Sequence, residues 1–408
     1  MESSFHLPPA PRAESAPHHR HQASLEQVLD LPVAASLTTA ELAQASDIFN
    51  KLISHCEPLQ SSKPYKKVTL VRLTYEHCRS KDTFLRQAFT YFDKTQDQTP
   101  PPTFKHGLLK YSSFNSQAAP ERKREAEGVI DSFAEYLFDN FFLPMKASGT
   151  KTPQPTPATL SAPSIENAIG TPARLSTLRR DCLTRDHNRC VVTRKFNIDE
   201  AFERDERDPS SPKDDDNQPL ALDHELALLE VAHIIPHSIM LAKDVDGQLQ
   251  LSESKKTALS ILDMFDPGVI HLIEGSNIDR PSNALTLTAE VHSFFGRFKI
   301  YFEAMDDSTH PKHTYKIHTF NRRASVHFKL PVTRTLLLSP NHTVDPPSLR
   351  LLALHRAIAI ILNLSAAGEY IDRIIRDNEQ LWMRSDGSAE LGHLVALHLG
   401  GWLDGLTA

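Results

Sequence analysis

The chain is short of glycine and cysteine and carries no surplus of positive charge. With 14 glycines against 28 prolines among 408 residues, its irregular connections are expected to be stiff and extended. The four cysteines, Cys56, Cys78, Cys182 and Cys190, are scattered without a Cys-x-x-Cys pair. That excludes a zinc knuckle and a disulfide scaffold, and points to a reducing compartment. A net charge of -6 excludes a global pull toward nucleic acid, so any basic surface has to be local. No apolar run approaches the roughly 20 residues of a membrane span; the best, Leu351 to Leu364, is interrupted by His355 and Arg356. Met1 to Ala23 holds proline and histidine where a signal peptide has a charged head and an apolar run. The expectation is an intracellular protein, nuclear or cytoplasmic, neither secreted nor bound to a membrane.

At 40% hydrophobic and 24% charged residues the composition is globular, and 408 residues allow two or three units. Residues 1–34, rich in Pro, His, Ala and Ser, read as a disordered, solvated tail. Residues 35–146 read as a helical domain. Thr38-x-x-Glu41 makes a capping box, and Leu42, Ala45, Ile48, Phe49, Leu52 and Ile53 follow at helical spacing. Amphipathic segments recur at Asp82 to Phe92 and Glu125 to Phe142, while Val68 to Leu73 fits strand or helix. Residues 147–170 form a Pro/Thr-rich linker. Thr171 and Pro172 then read as N-cap and first turn of a helix ending near Asp186. It carries Arg174, Arg179, Arg180 and Arg185, suited to phosphate contacts or to a solvated face.

Residues 171–310 carry the chemistry. Cys190 to Thr193 reads as a strand. The acid-rich stretch 199–223, broken by Pro209, Pro212 and Pro219, reads as a flexible insertion, or as a mask over a basic surface until displaced. Glu230-Val231-Ala232-His233-Ile234-Ile235-Pro236 is a short apolar strand with one histidine, stopped by a proline that has no amide to donate. His237, just past that proline, reads as solvated. A helix is expected near Glu253 to Phe265 and a turn at Asp266-Pro267-Gly268. Asn283 lies in a loop, and Val291 to Phe302, with His292 near its start, reads as a helix or a helix followed by a strand. A histidine at a strand end, an asparagine in a loop and a histidine on the next helix can converge on one metal ion and one water. Residues 311–345 alternate loosely, as in Val326-His327-Phe328-Lys329-Leu330, and read as strands. Residues 346–408 read as C-terminal helices, Leu349 to Arg376 with a break at Ser365 to Gly368 and then Glu390 to Leu403, packed on the chain or on a second copy as a homodimer.

Four blocks, Cys190-Val191-Val192-Thr193, Ala232-His233-Ile234-Ile235-Pro236, Asn283-Ala284-Leu285-Thr286-Leu287 and His292-Ser293-Phe294-Phe295, resemble the HNH endonuclease family. The likeness is to the HNH domains of fungal proteins with flanking helical regions, over Pro172 to Glu303; Leu351 to Arg376 and Leu391 to Leu403 resemble the tail such proteins carry. The resemblance implies an α+β fold, a ββα-metal module flanked by an N-terminal helical domain and C-terminal helices. It implies metal-dependent hydrolysis of phosphodiester bonds in nucleic acid, DNA first, with His233 as general base and Asn283 holding the loop and the base's orientation. His292, with Glu230, would hold the divalent ion, Mg²⁺ first, with Mn²⁺ or Zn²⁺ as alternatives. Arg179, Arg180, Arg185 and Arg297 are the candidate nucleic-acid contacts. Two positions depart from the family pattern: Ala232 stands where Asp or His commonly precedes the base, and Gly296 where the last motif commonly continues with Asp. Glu230, Asp223, a main-chain carbonyl or waters would then complete the shell. The departures support a second reading, a non-catalytic nucleic-acid-binding or scaffold protein on a degenerate HNH fold.

Overall fold

In the computed structural model the Thr38 side chain accepts from the Glu41 amide while Glu41 reaches back to the Thr38 amide, and this box starts α1 (Thr39–Cys56). The structure describes residues 36–94, 101–149, 171–245, 248–305, 308–379 and 391–403. The expected tail 1–34 and most of the expected linker lie outside them. The chain continues through α2 (Lys67–His77), α3 (Lys81–Phe92), α4 (Phe104–Tyr111) and α5 (Pro120–Leu137), which runs by a π turn at Phe138–Phe142 into α6 (Leu143–Ser148). The ambiguous Val68 to Leu73 is helical. Its residues Val68, Thr69, Leu70, Val71 and Leu73 are all buried, so no single apolar face marked it as a helix. Aromatics fill this core: Phe92 meets Phe133 edge-on at 5.6 Å.

Thr171 caps α7 (Pro172–Arg185) by accepting from the Arg174 amide. Cys190 to Thr193 is a turn, not the expected strand. The Arg194 amide donates to the Cys190 carbonyl and the Cys190 amide to that of Lys195, and Arg194 at φ 64 reverses the chain. Its strand-like apolar pattern reflects burial of Cys190, Val191 and Val192. β1 (Phe196–Asn197) later pairs in parallel with β2 (Leu226–Ala227).

The acid-rich stretch between these strands is ordered, which overturns the flexible reading. It opens as α8 (Ile198–Arg207), capped by Asn197, with Glu200–Arg204 at 2.8 Å and Glu203–Arg207 at 3.6 Å along its face. Beyond it the buried Asp214 accepts from the Asp216 and Gln218 amides and from Arg189. Cations interleaved with the acids neutralise them.

Next come β3 (Leu229–His233), the hairpin of β4 (Lys243–Val245) and β5 (Gln248–Gln250), α9 (Glu253–Phe265), β6 (Ala284–Thr288), α10 (Ala289–Gly296) and β7 (Ile300–Ala304). β3 and β6 pair antiparallel from Leu229↔Thr288 to His233↔Ala284, and α10 packs back across both. After β8 (Thr314–Thr319) the expected strand at Val326 to Leu330 is instead the end of α11 (Arg322–His327) and the turn after it, the helix being started by the Asn321 side chain, which accepts from the Ala324 amide. Lys329 at φ 55 follows that helix, and β9 (Val332–Thr335) completes the sheet β7-β8-β9.

The chain closes with α12 (Leu349–Leu364), α13 (Ala367–Glu379) and α14 (Leu391–Leu399). α12 and α13 meet at 84°, the chain turning through Ala366 at φ 62. Among the described residues no single helix is long and apolar enough to cross a membrane; this bent pair passes by length and composition alone. α12 packs between α2 and β7, and one continuous apolar core runs from Ala45 to Trp402. The architecture is α+β, helices around small separate sheets.

Candidate functional site

Alternation along β3 sets Val231 and His233 on one face and Glu230 and Ala232 on the other. Val231 clusters with Leu178 and Cys182 of α7 and with Ala284, so α7 covers the first face and α10 the second. Thr288 caps α10 by accepting from the Val291 amide, and His292, one turn in, meets Glu230: Nδ1 lies 2.7 Å from Oε2. That hydrogen bond holds the Glu230 carboxyl below the usual carboxylate range, against the opposite pull of burial. The imidazole is 5% exposed and the carboxylate 34%, so the pair opens to solvent through Glu230.

His233 sits at the other end of the strand. Its Nε2 lies 3.0 Å from Asp279 Oδ1, with the two side chains 1% and 0% exposed. Nothing in the sequence marked Asp279: a carboxylate at the end of a 3₁₀ turn (Gly275–Asp279) has no periodicity, and its only signal is its place shortly before Asn283. His237 is buried, against the expectation that it is solvated. Pro236 leads into a 3₁₀ turn (His237–Met240) that folds it inward, where its ring centre is 5.7 Å from that of His233. Burial first, and then the neighbouring His233, push His237 down to about 4.

Asn283 is fully buried. Its Oδ1 accepts from the Ile235 amide at 2.9 Å, and its Nδ2 donates to the carbonyls of Ile235 at 3.1 Å and Ile278 at 2.9 Å. It therefore fastens the segment that carries Asp279 to the residues just after His233.

Of the four arginines expected on nucleic acid, Arg185 is corrected outright. Its guanidinium is fully buried against Asp186 at 2.8 Å and donates to the carbonyls of Pro281 at 2.7 Å and Ala284 at 3.0 Å. Asp186 in turn accepts from the Thr286 amide. The pair is a clamp on β6. Arg179 donates to the Leu229 carbonyl, Arg180 is exposed beside Asp181, and Arg297 is exposed while its carbonyl accepts from Lys146.

The two positions that depart from the family pattern are both interior. Ala232 is buried, and a Cβ on Gly149 would lie 2.3 Å from the Gly296 carbonyl oxygen, so the residue that ends α6 abuts the end of α10 and position 149 needs a glycine. From the other side His355 of α12 stacks on Phe295 at 3.9 Å and donates to its carbonyl, its burial driving it to about 3. Helix packing thus covers the end of α10 where a further ligand would stand. Among the described residues no group of three or more His, Cys, Asp or Glu is placed to hold a metal ion.

Residues 190–303 match the family model described as HNH endonuclease. No curated protein and no solved structure matches the chain. The region that holds β3, β6, α10 and their polar pairs is an HNH endonuclease domain, a kind of domain that acts on nucleic acid.

Proposed function

We propose that this HNH domain hydrolyses phosphodiester bonds in DNA with the help of a divalent cation, and that His233 takes the proton from the attacking water. The observation that carries the reading is the His233–Asp279 pair at 3.0 Å. A carboxylate on one ring nitrogen fixes the tautomer and orientation of an imidazole and strengthens its opposite nitrogen as a base. Asn283 supports that geometry from behind.

Glu230 and His292 are the residues that would hold the cation. One carboxylate and one imidazole suit an ion that keeps most of its shell as water and phosphate oxygen, as Mg²⁺ does. They fall short of the three or four protein donors of Zn²⁺. When bound, the ion supplies charge against the phosphate and the leaving oxygen. For this chemistry the turn His237–Met240 has to yield and the end of β3 has to turn, since the His233 ring is 1% exposed and stands on the opposite face of the strand from Glu230.

That covered ring, with Ala232 and Gly296, favours a second reading: a nucleic-acid-binding protein that does not cleave. Nicking of supercoiled plasmid in Mg²⁺, Mn²⁺ or EDTA, beside His233→Ala, separates the two. Metal-dependent nicking lost in the variant supports the nuclease. Retained DNA binding with no nicking in any metal supports the binder.

A further inference from the structure

The turn that begins at Cys190 and the α11–β9 arm enclose a cleft of about 990 Å³. Arg194 and Lys195 line it from the turn, Lys329 and Arg334 from the arm, and Leu228 and Ala289 from the core module. The two guanidinium groups are crossed on backbone. Arg334 Nε donates to the Val192 carbonyl at 2.9 Å, and Arg194 donates to the Thr335 carbonyl. A second Arg194 nitrogen, Nη1, is buried without a hydrogen-bond partner. Among the described residues no carboxylate is ion-paired with Arg194, Lys329 or Arg334. Three acids also line the cleft: Glu225 is 4.0 Å from Lys195, Glu290 is 3.2 Å from His327, and Asp223 is exposed.

Two neighbouring, half-buried guanidiniums repel each other, and a buried donor without a partner is costly. An anion with several acceptor oxygens removes both penalties, and a phosphate fits the planar fork of arginine. The cleft wall reaches Leu228, two residues before Glu230, and Ala289, one helical turn before His292. An anionic chain lying in it is led to that pair.

We propose that this cleft grips the sugar–phosphate backbone of the nucleic acid on its way to Glu230 and His292, with Arg194, Arg334 and Lys329 as phosphate contacts. The inference rests on the HNH reading and adds to it residues that lie on the turn and the arm. These contacts position the strand and read no bases.

The test is fluorescence anisotropy of a labelled DNA duplex in EDTA across a salt series, for the wild-type chain, Lys329→Gln, Arg194→Gln and His233→Ala. Each lost phosphate contact lowers the slope of log affinity against log salt by about 0.9 and weakens binding roughly eightfold at about 0.1 M salt. Arg194→Gln also removes the bond to Thr335, whereas the Lys329 side chain is exposed, so Lys329→Gln isolates charge from fold. His233→Ala is expected to bind as wild type. Wild-type affinity and slope in both cleft variants overturn the proposal, and so does a wild-type chain that binds no duplex. Binding that depends on Lys329 without any nicking keeps the cleft and removes the nuclease. Metal-dependent nicking with unchanged binding in the cleft variants does the reverse.

Discussion

Three hydrogen bonds converge on the Asn283 side chain, and none of its atoms reaches solvent. Asn283→Ala strands one amide and two carbonyls, at about 1–3 kcal/mol for each buried group left unsatisfied. A loss of at least about 3 kcal/mol is expected, read as a lower denaturant midpoint at constant m-value; a loss below about 1 kcal/mol would show that the loop relaxes and the clamp is elsewhere. Asp279→Asn keeps the shape but removes the charge facing His233. On the nuclease reading it lowers kcat about 10–100-fold, as partners behind an active-site histidine typically do, and leaves KM within about twofold. An equal rise in KM would mark Asp279 as a substrate contact. His237 and His355 set the acid response. Both are held neutral by burial, at about 4 and about 3, while an unfolded histidine titrates near 6.5. The unfolded chain therefore binds more protons in that window: stability is full above about pH 6.5 and is lost as pH falls toward the folded values. At pH 5 each imidazole has cost up to about 2 kcal/mol. His355→Phe keeps the stack on Phe295 and Phe298, and the stability difference between pH 7 and pH 5 should shrink by up to about that amount. An unchanged difference would place the proton uptake elsewhere. In the sequence His355 reads as a polar break in an apolar run, because one-dimensional hydropathy cannot show a ring that spends its donor on a buried carbonyl.

Elements with their own start and stop chemistry were legible. Thr38, Thr171 and Pro236 set the bounds of α1, α7 and β3, and the turn at Asp266-Pro267-Gly268 ends α9 at Phe265. Elements whose order comes from neighbours were not. Cys190 to Thr193 is apolar because it is buried, and the acid-rich stretch keeps its shape because Arg204 and Arg207 answer Glu200 within α8 while Arg189 and Arg204 answer Asp214 and Asp215 beyond it. That account predicts what Asp214→Ala does. Its carboxylate, 3% exposed, joins Arg189 at 2.6 Å to two amides of the turn behind α8. Removing it frees the turn, so hydrogen exchange at the Asp216 and Gln218 amides should lose its protection while β3 and β6 keep theirs. Loss of protection in β6 as well would mean that the acid-rich stretch is part of the site's scaffold.

At the scale of the molecule the sequence shows a proline-rich stretch between a helical region and the HNH region, and composition alone makes that a separator. Contacts across it arise only on folding. Gly149 abuts Gly296, Lys146 donates to the Arg297 carbonyl and pairs with Asp372 at 3.0 Å, and Phe141 stacks on Phe265 at 5.3 Å. Two of these contacts bear on Gly296: the end of α10 is covered by Gly149 and Lys146, which ties the reach of the chemistry there to the integrity of the whole core. Because one apolar core runs through both regions, the chain is expected to unfold as a unit. We expect the full chain to melt in one transition by near- and far-ultraviolet circular dichroism together. The fragment 171–345, stripped of α6 and α12, should keep helical signal but lose near-ultraviolet signal and bind an apolar dye, because the end of α10 and the ring of Phe295 are then bare. A fragment with native near-ultraviolet signal, or two separated transitions in the full chain, would show that the HNH region stands alone and that its departure at Gly296 needs a cause within the module itself.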